Sequence, residues 1–465
     1  MNRALIVLQL NEVNPEVLLR LVARGCLPNF QALLQRHPMV TTAVDEHGDN
    51  LEPWIQWVTA HTGLERSEHG AVHLSDAQHQ PMRQVWDLLE EAGVACGLVS
   101  PMNASSQGFT GQFFIPDPWS TRNVTHPASL APIHRFIAER VHRHHASLEI
   151  ESSPVDFVRA LRRAGVGVSS LAALVRCYLQ ARVDPRAAWR VPAALDALLW
   201  RLTLSLHRKH ATRYTSVFLN AVAHYQHHYW TAHEPEHWAP RHPGLFAQPN
   251  LLAQAKLRPG DDPMTHGLVV YDQILGEAVA EVGAEGVMVM TGLSQVPFEG
   301  DSQGEGFCLY RPFDHQRLMV ALGLGHVEVA PLMSRDMMLH GLTAAQQVEV
   351  SELLSSMTLN GRALFSCTPE SGGRLFCKVA YTVVARPDDR VCWSRQGQAR
   401  HVRFGDHFQL ITFKTGGHHA HGFLLADPSW TDGWLQQGVL PLSSFPGLVA
   451  KGMGVSVPQS MRLAA

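Results

Sequence analysis

The length, composition and charge of this chain limit the classes of protein to which it can belong. Its 465 residues are 45% hydrophobic and 17% charged, so the chain can bury a large core, and global disorder is not expected. A formal net charge of -3 provides no field to attract nucleic acid or an anionic membrane, so neither is expected as a partner.

The cysteines and the amino-terminal segment bear on location. The seven cysteines are scattered and include no CxxC pair, which argues against a zinc knuckle or a redox motif and suits free thiols in a reducing compartment. The apolar stretch at 4–10 is too short for a signal peptide, and no apolar run reaches the roughly 18 residues that a membrane span needs. We therefore expect a cytoplasmic protein.

The first 128 residues alternate strand and helix patterns. Residues 4–10 form a short apolar run typical of a buried strand, and residues 15–24 predict a helix. A second helix over 81–93 is followed by an apolar strand at 94–100. This alternation predicts parallel βαβ units, and so an α/β fold with a mostly parallel central sheet flanked by helices.

The pattern changes at residues 129–210, where apolar residues recur at helical spacing without a strand signal. We interpret this block as a helical insertion, or cap, in an α/β core formed by residues 1–128 and 211–465. The elements predicted after it are a strand at 215–223, a helix at 266–283, a strand at 286–292, a helix at 347–358, a hairpin at 363–381 and further strands to about residue 413.

Polar side chains follow the predicted strands, at the positions where they would bind a ligand. Ligands of open parallel sheets bind beyond the carboxyl ends of the strands. The residues at these positions are Asn11, Glu12, Glu52, Asn220, His224, Ser294, Gln295, His418, His419 and His421. Histidine and carboxylate side chains in such a set point to a metal or to proton transfer.

An ordered set of segments resembles the alkaline phosphatase superfamily, in particular its type I phosphodiesterase and nucleotide pyrophosphatase branch. The segments, in chain order, are GCLPNF, AHTGLERSEHGAV, VWDLLEEAGVACGLV, LNAVAHYQHHYW, VVYDQILGEAV, MTGLSQ and HAHG. The resemblance implies an α/β core of that family's type, two divalent metals (usually zinc) and a Thr or Ser nucleophile.

The positions that would hold two metals depart from the family pattern. Asn11 and Asn220 stand where the family has aspartates, and Ser294 and Gln295 stand at its Asp-His pair, whereas His224 and His421 keep the family's residue types. A two-zinc site needs several carboxylates to offset its charge, and amides supply oxygen without charge.

A single metal site is still compatible with these residues. Glu12, His224 and His421 would give two imidazoles and one carboxylate for one divalent metal, with zinc favoured. The alternative is that Glu12 caps the helix that follows it and that no metal binds. We interpret His227 and His228 as packing and hydrogen-bonding residues rather than ligands, His61 as a buried histidine, and Arg335 and Asp336 as an ion pair.

The nucleophile implied by the resemblance is also missing. Pro53 stands at its position, next to Glu52, so a phosphorylated Thr or Ser intermediate is not available. Glu52 is a candidate general acid or base, and Asn220 and Gln295 are the other catalytic candidates.

Two functions remain open. One is a divergent metal-dependent hydrolase or transferase acting on a phosphate ester or a related small anionic ester. The other is a relative that has lost metal chemistry and works as a binding protein or catalyses an unrelated reaction.

Overall fold

The structure of the chain is a computed structural model, which describes residues 3–74, 76–79, 82–120, 123–141, 152–241, 257–298, 306–332, 335–395, 397–431, 438–458 and 461. The strands in chain order are β1 Leu5–Leu10, β2 Met39–Ala43, β3 Cys96–Val99, β4 Phe113–Ile115, β5 Tyr214–Leu219, β6 Val287–Met290, β7 Ser294–Pro297, β8 Cys308–Pro312, β9 Glu328–Pro331, β10 Asp336–His340, β11 Thr358–Leu359, β12 Arg362–Ala363, β13 Phe365–Glu370, β14 Arg374–Val379, β15 Arg390–Arg395, β16 Gln398–Arg403, β17 Phe408–Phe413, β18 Gly416–His419, β19 His421–Leu425 and β20 Val439–Pro441.

The α-helices are α1 Pro15–Ala23, α2 Pro28–Leu34, α3 Pro53–Thr62, α4 Arg66–His69, α5 Val85–Glu91, α6 Ala131–Val141, α7 Pro154–Arg163, α8 Val168–Val183, α9 Val191–His210, α10 Ala221–His233, α11 Pro235–Arg241, α12 Pro263–Val282, α13 His315–Ala321, α14 Ala344–Ser355, α15 Pro428–Thr431 and α16 Phe445–Gly452. Within the described residues, no single helix has both the length and the apolar composition needed to cross a bilayer. The adjacent helices α1 and α2 reach the required length and apolar composition only when they are taken together, and the pair is bent by 103°.

The central sheet has eight strands in the order β20-β2-β19-β6-β1-β5-β3-β4. All run parallel except β19, which is antiparallel to both of its neighbours. The strands β1, β3, β5 and β6 are fully buried, as expected for parallel strands that are covered by helices on both faces. The predicted α/β fold class with a mostly parallel central sheet is confirmed.

The predicted strand at 215–223 is shorter than expected, since β5 ends at Leu219 and a helix begins at Ala221. The buried Asp196 carboxylate accepts the backbone N–H groups of Asn220 and Ala221 at 2.9 and 2.7 Å. Because these are unpaired donors at the start of α10, Asp196 allows the helix to begin directly after the strand.

The block at 129–210 contains helices and no strand among its described residues. Its last helix, α9, packs on the sheet beside β3 and β5 and buries Leu198, Trp200 and Leu202. This part of the block therefore forms the crossover to β5. The division of the chain into a core and an insertion stays a prediction.

A smaller region between β8 and β17 carries mostly antiparallel strands. It contains the predicted hairpin, in which β13 and β14 pair from Phe365↔Val379 to Glu370↔Arg374. The turn contains Gly372 and Gly373, with φ of 72° and 70°, a left-handed conformation that glycine adopts without steric cost. From this region the chain returns to the central sheet through β18 and β19.

Candidate metal centre

The backbone of Glu12 adopts a strained conformation directly after β1. Its φ is 56°, in the left-handed region that is costly for a residue with a side chain. The Glu12 carbonyl oxygen accepts hydrogen bonds from Gln226 Nε2 at 2.5 Å and from the Gln295 backbone N–H at 3.1 Å. These contacts from two other elements hold the residue in this conformation.

Glu12 does not cap the helix that follows it. The N-cap of α1 is Asn14, whose side chain accepts the Val17 backbone N–H at 2.9 Å. The alternative interpretation of Glu12 as a helix cap is therefore wrong, and its buried carboxylate is directed elsewhere.

The Glu12 carboxylate lies at the centre of a cluster with two histidines. Its Oε1 accepts a hydrogen bond from Asn11 Nδ2 at 2.9 Å, and its Oε2 accepts one from Gln295 Nε2. The same Oε2 lies 3.3 Å from His227 Nε2 and 3.3 Å from His418 Nε2. Within the described residues, Glu12, His227 and His418 are the one group of three such side chains whose ligand atoms all lie within 4.8 Å of one another.

The spacing of these atoms fits a metal ion. Ligand atoms about 2.0–2.1 Å from a tetrahedral zinc ion lie roughly 3.3 Å from each other, which matches both carboxylate–imidazole distances. His418 Nε2 is buried, and it faces Glu12 Oε2 at 3.3 Å. A buried imidazole nitrogen of this kind is what a metal ligand presents before it binds the ion. The three side chains therefore fit one divalent metal.

A break in α10 accompanies the placement of His227. Tyr229 has non-helical dihedral angles (φ -127°, ψ 15°), and the Thr415 backbone N–H donates to the His227 carbonyl at 3.0 Å. Thr415 Oγ1 accepts the Trp230 backbone N–H at 3.3 Å. The helix is thus kinked where Thr415 inserts into its hydrogen-bond ladder, one residue before β18.

The two-stranded pairing of β18 with β7 places His418. His418 lies opposite Gln295 in this pairing, and Gln295 in turn contacts Glu12. The close approach requires glycine at the start of β18, since a Cβ on Gly416 would lie 2.1 Å from Gln295 Oε1 and 2.6 Å from the Gln226 carbonyl oxygen.

Two of the three predicted metal ligands lie outside this cluster. His224 is exposed on α10, with its ring 4.5 Å from that of His228, and His421 is exposed at the start of β19, with its ring 5.0 Å from that of His419. In the structure the histidines beside Glu12 are instead His227 and His418. His227 lies one helical turn after His224 on α10, and His418 lies on β18, the strand that precedes the β19 strand of His421. His227, interpreted from the sequence as a packing and hydrogen-bonding residue, contacts the Glu12 carboxylate, and its role as a metal ligand is a proposal.

The sequence carried a signal for both missed residues, because each belongs to a group of three histidines, at 224–228 and at 418–421. To identify which histidine of each group faces Glu12, one must know the rotation of α10 about its axis and the register of the hairpin. Neither follows from residue spacing when neighbouring positions are all histidine.

Glu52 contacts the second ring nitrogen of His418. Its Oε2 lies 3.5 Å from His418 Nδ1, so the imidazole lies between two carboxylates. Burial lowers the pKa of His418, but the charges of Glu12 and Glu52 outweigh it and the net shift is upward. Burial raises the pKa of Glu52, against the opposing charge of His418. A carboxylate on the far nitrogen of a ligating histidine is the usual arrangement that fixes the ring in metal sites.

The other two catalytic candidates belong to the amide network around Glu12. Asn11 Nδ2 donates to Asn220 Oδ1 at 2.8 Å as well as to Glu12, and Asn11 Oδ1 accepts from Trp57 Nε1 at 2.8 Å. Gln295 Nε2 donates to the Ala223 carbonyl at 3.1 Å as well as to Glu12. The structure thus brings Asn220 and Gln295 to the site, where these contacts orient the Glu12 carboxylate. Their catalytic roles stay predictions.

Several cations lie on the side of the site formed by the smaller region. Lys414 is half-buried with its Nζ 4.8 Å from the Phe298 ring centre, and burial lowers the pKa of Lys414 despite the charge of Glu52. Burial raises the pKa of Asp336 to about 7, although Arg335 and Lys378 oppose this rise. Arg335 also donates to the Val379 carbonyl at 3.3 Å. Three basic groups, on Lys414, Arg335 and Lys378, therefore accompany the Asp336 carboxyl group, whose ionisation is opposed by burial.

His61 matches its interpretation as a buried histidine. Its Nε2 lies 3.2 Å from Gln9 Nε2, and its ring packs between Trp57 and Trp86, with ring centroids 5.9 and 5.0 Å away. Burial lowers the pKa of His61 to about 3, so the imidazole is neutral beneath the site.

Comparisons with known proteins give a similarity at the level of the whole chain. No family model and no curated protein sequence matches it. Among solved structures, phosphonoacetate hydrolase from Sinorhizobium meliloti 1021 in complex with phosphonoacetate aligns over 97% of this chain and 96% of its own, with 12% identity and a TM-score of 0.46. The complex of the same enzyme with phosphonoformate gives the same coverage and identity and a TM-score of 0.45. At this level of similarity, neither the substrate nor the site chemistry of that enzyme is transferred to this chain.

Proposed function

We propose that this chain is a metal-dependent hydrolase or transferase that acts on a phosphate ester or a related small anionic ester. One divalent ion, with zinc favoured, would be held by Glu12, His227 and His418. The observation that carries the proposal is the convergence of two imidazole nitrogens on one buried carboxylate oxygen, each at 3.3 Å. Two imidazoles and one carboxylate form a common one-metal set that leaves coordination positions open.

The charge of the site supports one ion rather than two. Asn11, Asn220 and Gln295 surround Glu12 with uncharged amides, and the second carboxylate, Glu52, contacts His418 instead of the common point of the cluster. A second divalent ion would lack the negative charge needed to offset its desolvation.

The basic groups beside the cluster support an anionic substrate. Lys414 acts electrostatically on Glu52, and Arg335 and Lys378 act on Asp336, so positive charge acts on the carboxyl groups beside the cluster. A divalent ion at the cluster would supply Lewis-acid polarisation of an ester oxygen. The cations would bind the remaining negative charge and orient the substrate.

The chain's hydroxyl groups near α3 support a mechanism without a covalent Thr intermediate. Thr59 Oγ1 lies 3.2 Å from His69 Nε2, and Thr62 Oγ1 donates to the Val58 carbonyl at 2.8 Å. Both threonines are buried, whereas Glu52 and Pro53 occupy the start of the helix. Glu52, whose pKa is raised by burial, is the residue best placed to hold a proton near the substrate.

The experiment compares histidine variants in a screen of phosphate, phosphonate and sulfate esters, with and without added zinc. We expect His227→Ala and His418→Ala to lose activity, and the matched controls His224→Ala and His421→Ala, from the same helix and the same hairpin, to keep it. Activity that is lost in the control pair and kept in the first pair would refute this ligand assignment. Activity that no variant changes would place the chemistry elsewhere.

A second candidate function is a binding protein without metal chemistry. It is favoured by one observation: amide groups of Asn11 and Gln295 already donate to both oxygens of the Glu12 carboxylate, so the cluster is satisfied as an ion-pair network. Under this alternative, purified protein reconstituted with zinc retains no metal after dialysis, and the ester screen stays negative for the wild type.

A further inference from the structure

Two cysteines face each other on the hairpin of the smaller region. Cys367 on β13 and Cys377 on β14 are directly paired across the antiparallel strands, and their sulfur atoms lie 3.5 Å apart. All seven cysteines are free thiols in the structure. The two sulfurs are therefore unbonded and in contact.

The backbone geometry permits a bond between these sulfurs. Directly opposed residues of an antiparallel pair have Cα atoms about 4.5–5.5 Å apart, within the range that disulfides span. The sulfurs need to approach by only about 1.5 Å to reach a bonding distance of roughly 2.05 Å. Rotation of the two side chains is sufficient for this, and the strands keep their register.

The two thiols differ in access and in acidity. Cys367 is half-buried, whereas Cys377 is buried. Hydrogen bonding to Cys377 and to Ser355 lowers the pKa of Cys367, against the effect of burial. The same contact and burial raise the pKa of Cys377. The more accessible sulfur is thus also the one that forms a thiolate more readily, which is the pattern of an attacking and a resolving thiol.

We propose that Cys367 and Cys377 are a reversible disulfide-forming pair, oxidised by a low-molecular-weight disulfide such as glutathione disulfide. The Cys367 thiolate attacks one sulfur of the small disulfide and releases one small thiolate, which leaves a mixed disulfide on Cys367. The Cys377 sulfur then attacks Cys367 and displaces the second small thiol, which takes up the Cys377 proton. Two protein thiols are oxidised and one small disulfide is reduced to two thiols.

The bond would fix a hairpin that contacts the core at His73. Glu370, three residues after Cys367, forms a hydrogen bond with His73 of the core, and Phe376 stacks on the His73 ring at 4.8 Å. Lys378, next to Cys377, is paired with Asp336 in the sheet. Oxidation would therefore tie together the two strands that contact the core at His73 and carry Lys378. This proposal does not depend on the proposed function.

The test is oxidation of the full-length protein with excess glutathione disulfide, followed by alkylation and peptide mass spectrometry. We expect a mass loss of about 2 Da, two fewer alkylated thiols and a cross-linked peptide that joins residues 367 and 377. Amide exchange in Phe365–Val379 should slow on the order of tenfold in the oxidised protein and recover with reductant, because the cross-link restricts opening of the hairpin.

Single variants separate this bond from other thiol reactions. Cys367→Ser and Cys377→Ser should each abolish the mass loss, whereas Cys392→Ser, which removes an exposed cysteine of the neighbouring sheet, should leave it unchanged. If Cys377→Ser does not fold, Cys367→Ser at the half-buried position decides alone. A stable mixed disulfide on Cys367, or oxidation confined to Cys392 with both hairpin thiols still alkylated, would overturn the proposal.

Discussion

Glu12 combines an unfavourable backbone conformation with a buried charge. Burial opposes its ionisation, but the charges of His418 and His227 keep the pKa of Glu12 well below its usual range. The carboxylate receives two amide donors, from Asn11 and from Gln295. A neutral amide in its place would direct an N–H group at one of these donors and leave it unsatisfied.

We therefore expect Glu12→Gln to lower the free energy of unfolding of the metal-free protein by about 1–3 kcal/mol, the cost of a buried unpaired polar group. Urea unfolding measures the change. Glu16→Gln, at an exposed position on α1, is the control and should stay within about 0.5 kcal/mol of the wild type. An equal loss in both variants would show that the Glu12 network contributes nothing specific.

Glu52 tests the role of the carboxylate beyond the cluster. Because it contacts His418 Nδ1 at 3.5 Å, it would hold the ring in the orientation that directs Nε2 to the metal. Glu52→Gln should weaken zinc binding by about 10–100-fold in a competition titration, as is typical when an outer carboxylate is lost. Glu91→Gln, which removes an exposed carboxylate paired with Arg83, is the control and should leave zinc binding unchanged. If Glu52→Gln binds zinc with unchanged affinity, Glu52 does not position His418, and proton transfer is the role that remains for it.

His61 makes the stability of the fold depend on pH. Its pKa is about 3 in the folded chain and near 6.5 when unfolded, so the folded state excludes a proton that the unfolded state binds. The contribution of His61 is complete above about pH 6.5 and is lost as the pH falls toward 3. His61→Gln should reduce the slope of unfolding free energy between pH 4 and 6 by about 1.4 kcal/mol per pH unit. Identical slopes in urea unfolding of both proteins would refute this.

At the scale of elements, the site depends on how closely β18 approaches α10 and β7. A Cβ on Gly416 would lie 2.1 Å from Gln295 Oε1, whereas a Cβ on Gly417 would meet the Phe298 ring at 3.3 Å, a contact that a small shift of the ring relieves. Gly416→Ala should therefore destabilise the protein by about 1–3 kcal/mol and displace His418, with loss of zinc binding. The matched variant Gly417→Ala should bind zinc like the wild type. Normal zinc binding in Gly416→Ala would contradict this packing.

Some features of the site are encoded in local sequence patterns, and others depend on contacts between distant elements. The mostly parallel sheet, the polar residues after β1 and β6, and the proximity of Glu12, Asn220 and Gln295 follow from hydrophobic periodicity and the rule that strand ends converge. The choice between His224 and His227 depends on the rotation of α10, and the choice between His421 and His418 depends on the register of the hairpin. Both are set by contacts between residues far apart in sequence, Gln226 with Glu12 and His418 with Gln295, which local pattern does not encode.

At the scale of the whole molecule, the cluster joins three parts of the chain that are distant in sequence. Glu12 follows β1, His227 lies on α10, and His418 belongs to the hairpin by which the chain returns from the smaller region. A ligand that binds all three stabilises the folded state over the unfolded one.

Zinc at about 100 times its dissociation constant should accordingly add about 2.7 kcal/mol to the free energy of unfolding. Thermal unfolding with and without zinc measures the effect as a rise in Tm. The rise should be absent in His418→Ala and present in His421→Ala. An equal rise in both variants would indicate that the ion binds elsewhere.

The position of a bound ion distinguishes the cluster of Glu12, His227 and His418 from any other metal site. Crystals grown with zinc and measured at the zinc absorption edge locate the ion by its anomalous scattering. We expect one peak about 2.0–2.1 Å from His227 Nε2, His418 Nε2 and a Glu12 carboxylate oxygen. A peak at His224 or His421, two peaks at the carboxyl ends of the strands, or no peak there would contradict the account.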